Sequence, residues 1–114
     1  MANTFKLKTD TAVGTSLATA YTVPSSTTTV VIGCVLANTH ASAQIKADMQ
    51  IVTAATSGDN GDNVYIIKNL PIPTGASFEV IEGKMVLQVG DVIKFKSDTA
   101  SALDVALSVL EQGP

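Results

Sequence analysis

Ala43-Gln44-Ile45-Lys46-Ala47-Asp48-Met49-Gln50-Ile51 decides the fold. Ala43, Ile45, Ala47, Met49 and Ile51 occupy every second position, and Gln44, Lys46, Asp48 and Gln50 fill the places between. In an extended chain, alternate side chains point to opposite faces, so this stretch buries one row and wets the other. The same period recurs where Leu103, Val105, Leu107 and Val109 alternate with Asp104, Ala106 and Ser108. Both stretches read as antiparallel strands in the body of a sheet with one face in water.

Working outward, strands are expected at residues 4–8, 15–23, 29–38, 43–53, 63–69, 77–81, 85–89, 91–97 and 103–111. Turn chemistry separates them: Pro24-Ser25-Ser26, Asn38-Thr39-His40, the loop Ser57-Gly58-Asp59-Asn60-Gly61-Asp62-Asn63, Pro71-Ile72-Pro73-Thr74-Gly75, Glu82-Gly83-Lys84 and Gly90-Asp91. No segment of helical length keeps a 3.6-residue period, and Thr and Val, stiff at χ1, suit a pleated surface. The expectation is an all-β chain: a single antiparallel β-sandwich, jelly-roll or Ig-like, with about nine strands and little or no helix.

The composition sets the bounds. A chain of 114 residues is one domain, and 46% hydrophobic against 15% charged residues excludes a disordered chain. The longest apolar run, Val30-Val31-Ile32-Gly33-Cys34-Val35-Leu36-Ala37, is far too short to span a bilayer, so no membrane partner is expected. The first residues carry no apolar stretch of signal-peptide length, and synthesis in a cytosol is the default. All seven positive charges are lysines and the net charge is −3, which argues against gripping a nucleic-acid backbone. The single Cys34 lies inside the apolar run and reads as a buried, inert thiol.

That run breaks the alternation. Val30, Ile32, Cys34 and Leu36 form one row and Val31, Gly33, Val35 and Ala37 the other, so both faces are apolar and the second needs cover. Either a loop of the same chain or a neighbouring subunit could supply it, and ordinary layer packing favours the loop. Pro71 and Pro73 cannot both donate to a central ladder, so the Leu70 to Gly75 segment reads as an edge or an extended crossover between sheets, and the crossover is preferred.

Residues that carry chemistry are sparse. His40 sits in a turn with no second His and no carboxylate within four residues, and reads as a solvent-exposed turn side chain. The Ser57 to Asn63 loop gathers oxygen ligands around two glycines but lacks the EF-hand order, so a flexible hairpin loop is preferred to a weak cation site. Ser25, Ser26 and Thr27 to Thr29 lack a nucleophile elbow and a neighbouring base. Asp10, Asp48, Glu79, Glu82, Asp91, Asp98, Asp104 and Glu111 fall on polar faces or in turns, where solvation explains them. The aromatics Phe5, Tyr21, Tyr65, Phe78 and Phe95 fall within strands and read as core. The expectation is no enzyme, no catalytic residue, no metal and no cofactor.

The order Tyr21-Thr22-Val23-Pro24, Thr28-Thr29-Val30-Val31-Ile32, Val35-Leu36-Ala37-Asn38, Tyr65-Ile66-Ile67-Lys68-Asn69-Leu70-Pro71-Ile72-Pro73-Thr74-Gly75 and Val86-Leu87-Gln88-Val89-Gly90-Asp91-Val92-Ile93-Lys94, closing with Ala102-Leu103-Asp104-Val105 and Ser108-Val109-Leu110-Glu111, resembles small β-sandwich virion structural proteins of tailed bacteriophages of the marine and cyanobacterial type. The resemblance implies a non-enzymatic virion protein. It leaves the location in the particle open; the leading reading is a capsid decoration or cement subunit acting by multivalent assembly, and the alternatives are a neck, tail or baseplate ring subunit and a surface receptor- or carbohydrate-binding module. Its partners would be other virion proteins, such as the major capsid protein or tail and neck proteins, and further copies of itself. Candidates for partner contact are Phe5, Leu7, Leu70 and Ile72 on edge elements, with Val31 and Val35 from the two-faced strand. Edge residues that simply close the ends of the core are an equal reading of the first four.

Overall fold

A computed structural model describes residues 2–54, 62–81 and 83–113. Nine strands follow one another: β1 (Ala2–Asp10), β2 (Ala18–Thr22), β3 (Thr28–Asn38), β4 (Ile45–Val52), β5 (Asn63–Ile72), β6 (Ser77–Glu79), β7 (Met85–Leu87), β8 (Val92–Ser97) and β9 (Leu103–Gly113). No helix occurs among the described residues. The first sheet runs β1-β9-β3-β6, with β7 also on β3, and the second runs β2-β8-β4-β5. Every pairing is antiparallel.

β7 pairs with Thr29 to Val31 and β6 with Val35 to Ala37, both on the flank of β3 away from β9. They are two halves of one edge strand. Counted as one, they leave eight strands whose orders become 1-8-3-6 and 2-7-4-5. That order, with successive strands repeatedly changing sheet, is a jelly roll, which decides between the two sandwiches expected. The two alternating stretches lie in sheet interiors, β4 between β8 and β5, and β9 between β1 and β3.

The core lies between the sheets. Ile45, Ala47, Met49 and Ile51 of β4 and Ile93 and Phe95 of β8 face Val31, Cys34 and Leu36 of β3 and Leu103, Val105, Leu107 and Val109 of β9, all buried. Fully burying such side chains contributes roughly 1.5–3 kcal/mol each. Turn chemistry works as expected at Gly90 and Gly75, whose φ values of 84° and 76° are left-handed. The Asp91 N–H donates to Gln88 O at 3.1 Å and the Ala76 N–H to Pro73 O at 3.1 Å, closing both turns.

Three expectations change. Leu70, Pro71 and Ile72 belong to edge strand β5 rather than to a crossover, with Pro71 opposite Lys46 and Ile72 opposite Ile45. An edge strand tolerates a residue with no N–H, so Pro71 fits there, and the crossing to the first sheet begins at Pro73. In β3, the register shifts between Val31 and Gly33, so Ile32 and Gly33 together oppose Ser108. This bulge regroups the side chains: Val31, Cys34 and Leu36 point inward, while Val30, Ile32, Val35 and Ala37 point outward. The aromatics also divide, for only Tyr21 and Phe95 are buried, while Phe5, Tyr65 and Phe78 are 73%, 39% and 40% exposed.

Candidate assembly surface

The outer face of the first sheet is apolar across four strands. Register places Phe5 opposite Leu110, Leu110 opposite Val30, and Val30 opposite Val86, so four apolar side chains form one continuous row. The next row along the strands holds Leu7 and Ser108 with Ile32 and Gly33 at the bulge, and beyond it lie Thr9, Ala106 and Val35. Phe5 is 73% exposed, Leu7 65%, Val86 57%, Val35 39% and Ile32 38%. These five present roughly 500 Å² of apolar surface, toward the upper end of what a monomer usually carries in one patch. Among the described residues paired in this sheet, Asp104 and Glu79 bring charge to this face, opposite Ala37 and Val35.

The expected cover by a loop of the same chain is therefore not found among the described residues. β1 also reverses the sense in which Phe5 and Leu7 could close the core. Lys6 and Lys8 lie opposite the buried Val109 and Leu107, which puts the lysines on the core side and Phe5 and Leu7 outside. A lysine pointing inward at an edge discourages a further strand from pairing there. Lys6 has a local reason for that position: its ammonium sits 2.8 Å from Glu111 Oε1.

Glu111 belongs to a buried cluster that joins four strands. Tyr21 donates its hydroxyl to Glu111 Oε2 at 2.6 Å, and the Tyr21 and Thr29 hydroxyls lie 2.8 Å apart. With the one Tyr21 proton committed to Glu111, Thr29 donates to the Tyr21 oxygen. The Lys6 bond, followed by that of Tyr21, holds the Glu111 carboxyl below its ordinary range. Burial, reinforced by the Glu111 carboxylate, pushes the Tyr21 phenol up to about 12.

Other carboxylates hold backbone. Asp91 accepts from the Ala54 and Gln88 N–H groups, each at 2.9 Å. Asp48 accepts from the Asn69 N–H at 2.7 Å and faces the Lys68 ammonium at 3.4 Å. Asp98 accepts from the Lys46 N–H at 3.0 Å, and Asp104 from the Thr11 hydroxyl and the Ala12 N–H. Glu79 accepts the Cys34 N–H through both oxygens at 3.1 and 3.0 Å, next to the bulge that splits β6 from β7. The idea that solvation explains these carboxylates thus fails for Asp48, Asp91 and Glu111, which are buried. Asp10, in β1, lies opposite Val105.

His40 is half-buried rather than exposed, and its Nδ1 accepts the Ser42 and Ala43 N–H groups at 3.1 and 3.0 Å. It shapes the turn before β4. Thr27 bonds back to Ser25 O at 3.0 Å, a local turn contact, and Ser26 has a left-handed φ of 54°. Cys34 is buried, and burial together with the Glu79 charge pushes its thiol up to about 12. No group of three or more His, Cys, Asp or Glu side chains converges among the described residues. Residues 57–61 of the candidate cation loop, and Glu82, lie outside the described residues.

Of the residues expected to meet a partner, Phe5, Leu7 and Val35 are exposed together on the first sheet. Val31 and Ile72 are fully buried and Leu70 packs against the core, so these three are scaffold. Sequence reasoning passed over Val30, Ile32, Val86 and Leu110. The signal for Val30 and Ile32 was Gly33, because a glycine inside a strand often marks a bulge and a bulge reverses the alternation beyond it.

The second sheet presents lysines on its outer face, while its edge strand β5 exposes Val64, Tyr65 and Ile66 at 47%, 39% and 38%. Lys46, Lys94 and Lys96 alternate with the core side chains of β4 and β8, and Lys68 stands 4.4 Å from the Tyr65 ring centroid.

No protein-family model matches the chain, and no curated protein matches it. A solved structure described as "Bacillus endospore appendages form a novel family of disulfide-linked pili" is similar, with a TM-score of 0.54 and 10% identity over 98% of this chain and 87% of that one. At that identity the likeness concerns the fold. It nevertheless overturns the expected virion role, whether on a capsid, in a neck, tail or baseplate, or as a receptor- or carbohydrate-binding module. The structure that matches is that of a bacterial appendage and not of a phage particle.

Proposed function

We propose that this chain is a non-enzymatic structural subunit that assembles with further copies of itself through the outer face of the first sheet. The row Phe5, Leu110, Val30 and Val86, with Leu7, Ile32 and Val35 beside it, carries this reading. A second copy is the occupant that the area favours. Two such faces brought together bury on the order of 1,000 Å² from their exposed apolar side chains, about the minimum for a specific interface before the surrounding rim is added.

The commitment of Asp48, Asp91, Asp98, Asp104, Glu79 and Glu111 to structural bonds supports a scaffold over a catalyst. A fold shared with a pilus protein fits a role in a polymer. The covalent link named in that description has no counterpart here, because Cys34 is the single cysteine and is buried. Contact between copies is then non-covalent.

Sedimentation velocity over a concentration series tests the reading. The protein should form larger species as concentration rises, and a Phe5→Ser, Val86→Ser double variant should need a far higher concentration to associate, with an unchanged melting temperature. Both side chains are outside the core, so loss of folding is not the expected cause. A wild-type protein that remains monomeric throughout overturns the proposal.

A further inference from the structure

β1 differs from its neighbours in what it gives to the core. None of its described side chains is buried, and its core-side positions hold Thr4, Lys6, Lys8 and Asp10. Nine register pairs along β9 and the Lys6–Glu111 ion pair hold it in place. The chain becomes anchored immediately afterwards. Val13 is 3% exposed and donates its N–H to Leu103 O at 2.9 Å, and Gly14 O accepts from the Ser97 N–H at 3.0 Å.

Thr11 and Ala12 lie between the loosely seated strand and that anchor. Ala12 has a φ of 54°, a left-handed conformation that costs energy in any residue with a Cβ. The Asp104 carboxylate holds this bend, accepting the Thr11 hydroxyl at 2.7 Å and the Ala12 N–H at 3.0 Å. Straightening Ala12 would lift β1 away without opening the apolar core. The same strand laid along β9 of another copy would regain all nine pairs and the ion pair, with the strain at Ala12 released. A short connection under strain is the circumstance that invites strand exchange.

We propose that β1 exchanges between copies of this chain, pairing with β9 of a neighbour, with Thr11 and Ala12 as the hinge and Asp104 as its latch. This rests on the self-assembly reading above and adds a second kind of link. Face-to-face packing joins two copies; a strand passed to the next copy leaves its own β9 free to receive one, so links can continue.

The test uses full-length chains carrying Phe5→Ser and Val86→Ser, which removes the face contact, with Asn3→Cys in one chain and Gln112→Cys in the other. Residues 3 and 112 are register partners, so a disulfide between the two chains reports β1 of one paired with β9 of the other. Mixing at high concentration followed by oxidation should give the covalent heterodimer. Ala12→Gly, which removes the left-handed penalty, should lower its yield several-fold, and Asp104→Ala, which removes the latch, should raise it. Both cysteines placed in one chain should bridge internally at high dilution. Internal bridging without heterodimer, or a yield indifferent to Ala12→Gly and Asp104→Ala, overturns exchange. The loss of association strength from wild type to Phe5→Ser, Val86→Ser, read separately by sedimentation, decides the face reading whatever the cross-link shows.

Discussion

The Tyr21 hydroxyl donates to the Glu111 carboxylate at 2.6 Å and so ties β2 of one sheet to β9 of the other through the interior of the sandwich. Lys6 and Thr29 complete the cluster, which leaves neither the carboxylate nor the phenol without a partner. Removing the phenol oxygen deprives two buried groups at once. Tyr21→Phe should therefore lower unfolding stability by about 1–3 kcal/mol in urea titration, more than the loss of one exposed hydrogen bond would. No change in the midpoint would remove the cluster from the account of stability.

Acid should loosen the same cluster. Because the folded Glu111 carboxyl is held below its ordinary range, its contribution is present above the unfolded value of about 4.3 and lost as pH falls through the folded one. Unfolding stability of the wild-type protein should fall below about pH 5, and the fall should be shallower in Glu111→Gln. Parallel curves for the two proteins would contradict this.

Alkali works through the opposite sign. The Tyr21 phenol and the Cys34 thiol are each pushed up to about 12, so the folded protein favours their protonated forms. Their stabilising effect is full below the unfolded values, about 8.5 for Cys and 10 for Tyr, and disappears as pH rises toward 12. In Tyr65→Phe, which leaves Tyr21 as the sole phenol, phenolate absorbance should appear only near pH 12 or together with unfolding. Ionisation near pH 10 with the fold intact would count against a buried, carboxylate-bonded Tyr21.

Reductant should leave assemblies unchanged. With Cys34 buried, its thiol pushed up and no second cysteine in the chain, assembled protein should run as a monomer on denaturing gels with or without dithiothreitol. A reductant-sensitive ladder would show that the thiol reaches a partner after all.

Alternation made most of the fold legible. Ile45 to Ile51 and Leu103 to Val109 keep a strict period of two because each strand has one dry face, and their inward rows are the observed core. Where the period carries less information, reading the sequence faltered. At Ile32 and Gly33, one additional residue reverses every side chain beyond it, which hid Val30 and Ile32 and misassigned Val31 to the surface. In β1, Phe5 and Leu7 look like an inward row because apolar side chains usually face the core, but Glu111 draws Lys6 to that side and turns the apolar pair outward. Pairings made at long sequence separation cannot be read from local pattern, and the Tyr21–Glu111 bond, 90 residues apart, is one of them.

The most direct test of the central claim is oxidative footprinting of the protein when dilute and when concentrated enough to associate. Phe5 and Tyr65 are both exposed but lie on different sheets, so each reports one outer face. Labelling of Phe5 should fall on association while labelling of Tyr65 persists. Protection of Tyr65 with Phe5 unchanged would contradict it and place the contact on the lysine-bearing sheet.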